Sequence, residues 1–253
     1  MDAVRGERIA GQGNSESVWQ GASALKSLPE SSLAHLLGGA CRLVIVAPHP
    51  DDEILGCGGL IATAVAAGYD VLLIALTDGE AAYPEDRHWH PRALAPVRRA
   101  ELVAAGRELG VQAGQVIHLG FPDGQLRTHC HEAANAVAAY LQSTDAVFVT
   151  WRNDGHPDHE AAADAVALAA EDTGAMRIEY PIWAWHWADP IDAPFLGSRS
   201  VRLPLSAESA AAKRRALDCF RTQTGQCEPA PAQPVLPAHV LARFKRDFEV
   251  YCR

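Results

Sequence analysis

Residues 42–53 read RLVIVAPHPDDE, and this short stretch predicts the architecture of the chain around it. Its first six residues form a β-branched apolar run, which is typical of a strand buried on both faces of a parallel sheet. Residues 48–53 then place polar and titratable side chains directly after that strand. Because ligands bind outside the carboxyl ends of the strands in such a sheet, a site is expected at this edge. A dinucleotide site of the Rossmann type is excluded, since it would need a GxGxxG motif at this position.

The rest of the chain alternates between apolar runs and Ala-rich helical patterns. Strands are predicted at 42–47, 70–76, 115–119, 145–150 and 177–185, and helices at 55–68, 94–109, 130–142, 158–171 and 238–251. This alternation indicates βαβ units, so we predict an α/β fold with a Rossmann-like, mostly parallel sheet flanked by helices. Residues 1–38 are predicted to form an N-terminal arm with one short helix at 31–37, and residues 39–253 a single α/β domain.

The composition is that of an ordinary globular protein, with 48% hydrophobic and 21% charged residues among 253. The formal net charge of −9 argues against nucleic acid as a partner, because binding to phosphates needs a basic face.

No apolar run approaches the ~18 residues of a transmembrane helix, and residues 1–19 lack the apolar core of a secretory signal. The six cysteines form no CxxC pair. They are expected to be reduced thiols of a cytoplasmic protein, with a lone disulfide of a secreted protein as the alternative.

Polar residues also follow the later strands, at 77–80, 120–124 and 151–159. His49 and Asp52 are three residues apart where a strand turns into a helix, and His159 begins a helix after a neighbouring strand. Two imidazoles and a carboxylate, with a fourth position left open, are the ligand set of a catalytic zinc ion. Asp51 stands between two of these candidate ligands and is left to face a water on the metal.

A plainer interpretation of these segments is also open. Asp51, Asp52 and Glu53 could be charges that complement the dipole at a helix N-terminus, and His156 and His159 could be capping or surface groups. Either segment alone would favour that interpretation. Both segments at strand ends of one sheet favour a metal site.

The chain resembles the PIG-L/LmbE family of zinc-dependent de-N-acetylases from Cys41 to about Gln226. Five blocks carry the resemblance, in this order: His49-Pro50-Asp51-Asp52-Glu53, Thr77-Asp78-Gly79-Glu80, Arg98-Arg99-Ala100-Glu101, Leu119-Gly120-Phe121-Pro122-Asp123-Gly124 and His156-Pro157-Asp158-His159. The resemblance implies an LmbE-like fold and removal of the acetyl group from an N-acetylglucosamine-type sugar conjugate. Members of the family also act on other small N-acyl compounds, which is the alternative substrate class.

The resemblance further implies a role for each matching residue. It implies that His49, Asp52 and His159 bind zinc, with another divalent ion such as Fe²⁺ as an alternative, and that Asp51 is the general base.

For the remaining matches, the resemblance implies that His156 stabilises or protonates the tetrahedral intermediate. Asp158 would orient His156 and keep its pKa up. Arg98 and Asp123 would contact sugar hydroxyls. The expected partner is therefore a small-molecule sugar conjugate, and the sequence is also compatible with a homo-oligomer.

Three other segments carry weaker signals. His88 and His90 lie in a loop over residues 83–96, which is expected to be a lid over the site rather than a metal site. The three Trp residues of 183–187 form either an aromatic wall against the substrate or the inward rings of a core strand. Residues 213–215, a Lys-Arg-Arg run, are expected on a solvated helix face, and Glu53 is expected to brace the first loop.

Two other functions are weighed against the hydrolase. Two His and one carboxylate also form the facial triad of Fe(II) oxygenases, but those triads use HxD spacing rather than the His-x-x-Asp found here. A non-catalytic sugar- or nucleotide-binding module is the second alternative, and it would have no need for a base at Asp51. The sequence does not identify the group attached to the sugar.

Overall fold

The computed structural model describes Ile9 and residues 11–252, and it confirms the α/β fold with a mostly parallel sheet. The predicted loose arm falls in part on residues 1–8 and 10, which lie outside the described residues. In the part of the chain that is described, no helix combines the length and apolar character needed to cross a membrane.

One seven-stranded sheet runs through the described residues, in the order β3-β2-β1-β4-β5-β7-β6. The strands are β1 Arg42–Ala47, β2 Asp70–Thr77, β3 Val116–Phe121, β4 Asp145–Thr150, β5 Met176–Tyr180, β6 Ser200–Pro204 and β7 Phe248–Cys252. The first five strands pair in parallel, and β7 pairs antiparallel with both β5 and β6. The order places the ends of β1 and β4 side by side, which brings the two predicted site segments together.

The helices cover both faces of this sheet. Those of the described residues are α1 Glu16–Gly21, α2 Ser23–Lys26, α3 Leu33–Leu37, α4 Asp52–Ala66, α5 Pro91–Glu108, α6 Cys130–Ala138, α7 Pro157–Thr173, α8 Ala184–Trp187, α9 Ala207–Leu217, α10 Arg221–Thr224 and α11 Ala238–Leu241. Alternate residues of β1 point to opposite faces: Leu43 and Ile45 pack in a core with α4, α5 and α9, and Val44 and Val46 pack in a second core with α6 and α7.

Two sequence predictions at the C-terminal side of the sheet are wrong. The fifth strand ends at Tyr180 rather than at 185, because Pro181 has no N–H for the ladder, and residues 184–187 form the short helix α8 instead. The helix predicted over 238–251 stops at Leu241, and the chain then forms β7. Phe248, Val250 and Tyr251 are residue types that favour a strand, and β7 covers the free edge of β5 and pairs along β6.

The region before β1 holds three short helices where one was predicted. Trp19 of α1 is completely buried, and its indole N–H donates to the carbonyl of Trp185 at 2.7 Å. The two indole rings meet edge to face with centroids 4.9 Å apart. These contacts join α1 to the core that contains Leu43 and Ile45 of β1.

Lys213 was expected in solvent, but its side chain is 3% exposed and ion-paired with Glu249 at 2.7 Å. The Lys213 ammonium also donates to the carbonyl of Leu55 inside α4. The Glu249 carboxylate accepts the N–H groups of Gly59 and Leu60 of the same helix, at 2.7 and 2.8 Å. One buried ion pair therefore connects α9 and β7 to the middle of α4, the helix that begins at Asp52.

Replacing Lys213 with Met should lower the free energy of unfolding by about 3–5 kcal/mol, because it leaves the buried Glu249 carboxylate without its cation. Denaturant unfolding measures the change. Arg214→Met is the matched control, since Arg214 lies exposed on the same helix and its loss should change stability by less than about 0.5 kcal/mol. Equal unfolding midpoints for both variants and the wild type would contradict the role of the pair.

Candidate active site

The structure brings the eight predicted site residues together at the carboxyl edge of the sheet, and all of them are buried. They are His49, Asp51, Asp52, Arg98, Asp123, His156, Asp158 and His159. The first three follow β1, Arg98 comes from α5, and Asp123 follows β3. His156 is the N-cap of α7, and Asp158 and His159 lie in the first turn of that helix.

The candidate metal ligands converge on one carboxylate oxygen. Oδ2 of Asp52 lies 3.1 Å from Nδ1 of His49 and 3.2 Å from Nε2 of His159. Two ligand atoms bonded to one tetrahedral zinc ion would be about 3.3 Å apart, given bond lengths of about 2.0–2.1 Å. Nε2 of His159 is fully buried and has no hydrogen-bond partner among the described residues. This His–Asp–His group could therefore hold a metal ion.

The other ring nitrogen of each histidine faces a carboxylate. Nε2 of His49 lies 3.1 Å from Oδ1 of Asp123 and 3.4 Å from Oδ2 of Asp158. Histidines that bind metals commonly donate their second N–H to a carboxylate, which fixes the ring and its tautomer. His49, Asp123 and Asp158 also form a second group close enough to hold an ion, so His49 is shared between two candidate sites.

Asp154 is the carboxylate that faces the second ring nitrogen of His159, and it is not among the site residues predicted from the sequence. Its side chain is completely buried, and Oδ2 lies 2.8 Å from Nδ1 of His159. The same carboxylate accepts the N–H groups of Ile182, Trp183 and Ala184. Asp154 thus orients the imidazole and fixes the loop after β5. Its only sequence signal is a place among the polar residues that follow β4.

The electrostatic field of the site favours positive charge at both imidazoles. Burial lowers the pKa of His159, but Asp52 and Asp154 outweigh it and raise that pKa to about 9. Burial likewise opposes the charge of His49, and Asp123, Asp158 and Asp52 raise its pKa well above the usual value. The pKa of Asp52 is lowered, since the two imidazoles outweigh the effect of burial. A field that holds protons this firmly also suits a divalent cation.

Asp51 has the strained backbone of the site. Its φ is 142°, and among the described residues it is the one non-glycine with a positive φ. Such a conformation costs of the order of 1–3 kcal/mol and is common at functional sites. It turns the chain between β1 and α4. The N–H of Asp51 donates to Oε2 of Glu53 at 3.3 Å, which agrees with the predicted bracing of the loop by Glu53.

The carboxylate of Asp51 has a pKa in the neutral range. Burial raises this pKa to about 7, and the charge of Asp52 adds to the effect, while the guanidinium of Arg98 opposes it. Nη2 of Arg98 donates to Oδ2 of Asp51 at 2.9 Å. A carboxyl group poised near neutral pH can both accept and return a proton.

Arg98 also holds the two loops beside Asp51. Its guanidinium donates to the carbonyls of Pro50 and Gly79, at 2.6 and 2.8 Å. Asp123 accepts the N–H of Ala81 at 2.8 Å while facing His49. Both residues line the cavity described below, but their described contacts are with the protein.

The expected partnership between Asp158 and His156 is wrong. The Asp158 carboxylate accepts the N–H groups of Gly124 and Leu126 rather than bonding to His156. Asp158 contacts His156 through its backbone N–H, which donates to Nδ1 of the ring at 3.2 Å. Burial, followed by the charges of His159 and His49, lowers the pKa of His156 well below its usual value. The ring is therefore neutral and carries its proton on Nε2, where it can donate a hydrogen bond.

A cavity of about 630 Å³ opens beside these residues. Tyr83 and its neighbours up to Asp86 line it, whereas His88 and His90 do not. Of the clustered Trp residues, Trp183 lines the cavity, and Trp185 packs in the core from the short helix α8 rather than from the strand that was the alternative. Gln223 also lines the cavity, and its buried Oε1 has no hydrogen-bond partner among the described residues.

Comparison with known proteins places this site in a family. The profile described as "PIG-L: GlcNAc-PI de-N-acetylase" matches residues 44–170, which is half of the chain and includes the metal group. A 1D-myo-inositol 2-acetamido-2-deoxy-alpha-D-glucopyranoside deacetylase of Streptomyces avermitilis is 33% identical over 155 residues, covering 51% of this chain and 53% of the relative. One from Mycobacterium sp. is 33% identical over 170 residues, covering 58% and 54%. The chain spans about half the length of these curated relatives.

Solved structures agree on the fold. A conserved protein of Thermus thermophilus superposes with a TM-score of 0.57 at 27% identity, over 75% of this chain and 82% of that one. The zinc-inhibited form of teicoplanin deacetylase superposes with a TM-score of 0.59 at 22% identity, over 73% and 85%. Since the family profile covers half of the chain, and the neighbouring ends of β1 and β4 carry its two histidine segments, this chain belongs to the PIG-L family of de-N-acetylases.

Proposed function

We propose that this chain removes the acetyl group from an N-acetylglucosamine-type sugar conjugate by metal-assisted hydrolysis. The observation that carries the proposal is Asp51, a buried and strained carboxylate beside a His–Asp–His group at the wall of a cavity. Family membership and the names of the curated relatives support the choice of substrate. A module that only binds sugar would have no use for a general base held in a strained backbone conformation.

His49, Asp52 and His159 would hold the metal. Two imidazoles and one carboxylate are the donor set of catalytic zinc, and another divalent ion such as Fe²⁺ would also accept it. Zinc held there would polarise the acetyl carbonyl and lower the pKa of a water from ~16 toward ~7.

Asp51 takes the proton of the attacking water in this proposal. Its pKa of about 7 lets it return that proton to the leaving amine, so one carboxylate serves first as base and then as acid. Burial keeps His156 neutral, which makes it a hydrogen-bond donor to the developing oxyanion rather than a source of the proton. Arg98 holds the Asp51 carboxylate in place. Asp158 acts at a distance, by fixing the loop at residues 124–126 and facing His49.

Asp51→Asn should lower kcat by about 10²–10⁴, because an amide keeps the shape of the side chain but cannot accept a proton. Free-amine release from methyl N-acetylglucosaminide measures turnover, and elemental analysis should show the metal still bound. His159→Ala is the companion variant, and it should lose the metal as well as the activity. Near-normal turnover by Asp51→Asn would remove Asp51 as the base, and no amine release by the wild type would contradict the function.

Arg98→Met should move the acid limb of the pH profile of kcat/KM to higher pH. The guanidinium lowers the pKa of Asp51, so its loss raises that pKa, and the base then loses its proton only at higher pH. The expected displacement is about 1–3 pH units, as for a carboxylate that loses an adjacent cation. Arg98→Lys, which keeps the charge, should move the limb less. A higher KM with an unmoved limb would show that Arg98 acts only on the sugar.

A further inference from the structure

The wall of the cavity is built from two parts of the chain. The polar residues around His49 and Asp51 lie within the range that the family profile matches. Much of the apolar lining comes from outside that range, from Ile9, Ile182, Trp183, Val235 and Leu236. Residues within the family range thus supply the reacting groups, and residues outside that range supply much of the apolar surface next to them.

The segment that follows Ile9 is tied to the rest of the protein by Arg243. This arginine is 2% exposed, and its guanidinium donates to the carbonyls of Gln12 and Asn14 at 2.9 and 2.7 Å. The side-chain amide of Asn14 donates to the carbonyl of Ala188 at 2.6 Å. Ile9 itself is 6% exposed, so its side chain is part of the wall rather than of the outer surface.

A second part of the wall, around Tyr83, Val235 and Leu236, is also held in place. The hydroxyl of Tyr83 donates to the carbonyl of Thr222 at 2.7 Å and accepts the N–H of Val235 at 3.4 Å. The N–H of Leu236 donates to the carbonyl of Gln223 at 2.8 Å. A cavity with preformed apolar walls binds a ligand without first having to order them, which favours affinity.

The charges around the cavity argue against an anionic ligand. Among the described lining residues, Arg98 is the one Arg or Lys, and its amino groups are already bonded to Asp51 and two carbonyls. Glu85 and Asp86 add negative charge to the lining. Apart from the imidazoles of His49 and His156 beside the reacting groups, a phosphate or carboxylate on the aglycone would therefore meet these acids and no free amino group of an Arg or Lys.

We propose that the group attached to the sugar is uncharged and apolar, an alkyl or aryl aglycone, and that Ile9, Trp183, Val235 and Leu236 bind it. The inference rests on the proposed deacetylase function and adds the class of its substrate. The volume of about 630 Å³ suits a ligand of that size, because ligand pockets commonly range over about 300–1,000 Å³.

A series of N-acetylglucosamine glycosides tests the proposal. Methyl, hexyl, 6-aminohexyl and 5-carboxypentyl glycosides present the same amide and differ only in the aglycone. The hexyl glycoside should have a kcat/KM at least about tenfold above that of the methyl glycoside, since burial of methylenes is favourable after the cost of ordering the chain. The carboxypentyl and aminohexyl glycosides should lose that advantage. Equal values across the series, or preference for a charged aglycone, would overturn the proposal.

Ile9→Ser and Trp183→Ala should each reduce the hexyl-to-methyl ratio of kcat/KM toward one. This ratio does not depend on how much of the variant is folded, so poor folding cannot imitate the effect. Ile191→Ser is the matched control, because Ile191 is 89% exposed and does not line the cavity, and its ratio should equal that of the wild type. An unchanged ratio in both lining variants would overturn the assignment of these side chains.

Failure of the proposed function gives a different result. In that case none of the glycosides, including the methyl one, would release an amine. Calorimetric titration with the same four glycosides then tests the aglycone site directly: tighter binding of the hexyl glycoside supports it, and equal or charge-favoured binding rejects it.

Discussion

The rest of the site depends on the meeting of one carboxylate oxygen of Asp52 with two imidazole nitrogens. Asp52 begins α4, His49 follows the end of β1, and His159 lies in the first turn of α7, the helix that follows β4. This meeting is possible because β1 and β4 are neighbours in the sheet, although about a hundred residues separate them along the chain. Asp51 can face the same point only because the backbone turns through a strained conformation immediately before α4. The fold therefore gathers the three candidate ligands, and local strain places the base.

The charges of the site are arranged so that burial acts differently on each group. It raises the pKa of Asp51 and, together with the charge of Asp51, that of Glu53. Carboxylates beside His49 and His159 overcome burial and favour positive charge there. At His156, burial and the charges of His159 and His49 outweigh the carboxylates of Asp52 and Asp123, and the ring stays neutral. Neighbouring groups of the same type thus have different proton affinities, as acid–base chemistry requires.

Much of the fold could be predicted because the sequence patterns that specify its strands and helices are local. The apolar runs of β1, β2 and β4 and the helical patterns between them indicate a parallel sheet, and the segments at 49–53 and 156–159 stand at the ends of its strands. What could not be predicted depends on partners that are distant in sequence. Strand β7 covers the edge of β5 that β4 leaves free and pairs along β6, and the apparent helical pattern at 238–251 carries no sign of these pairings.

The same limit applies to buried polar residues. Lys213 looks like part of a basic surface run until Glu249, 36 residues away, is found beside it. Asp154 is one polar residue among many after β4, and its importance follows only from the loop at 182–184 that folds back onto it. Spacing can suggest candidate metal ligands, but it does not reveal which carboxylates orient them.

The central claim is that the metal is bound by His49, Asp52 and His159. Anomalous diffraction at the zinc edge, from crystals of the unmodified zinc-loaded protein, tests it most directly. The arrangement of the side chains predicts a peak about 2.0–2.2 Å from Nδ1 of His49, Oδ2 of Asp52 and Nε2 of His159. A peak on the other side of the His49 ring, between Nε2 and the carboxylates of Asp123 and Asp158, would contradict it.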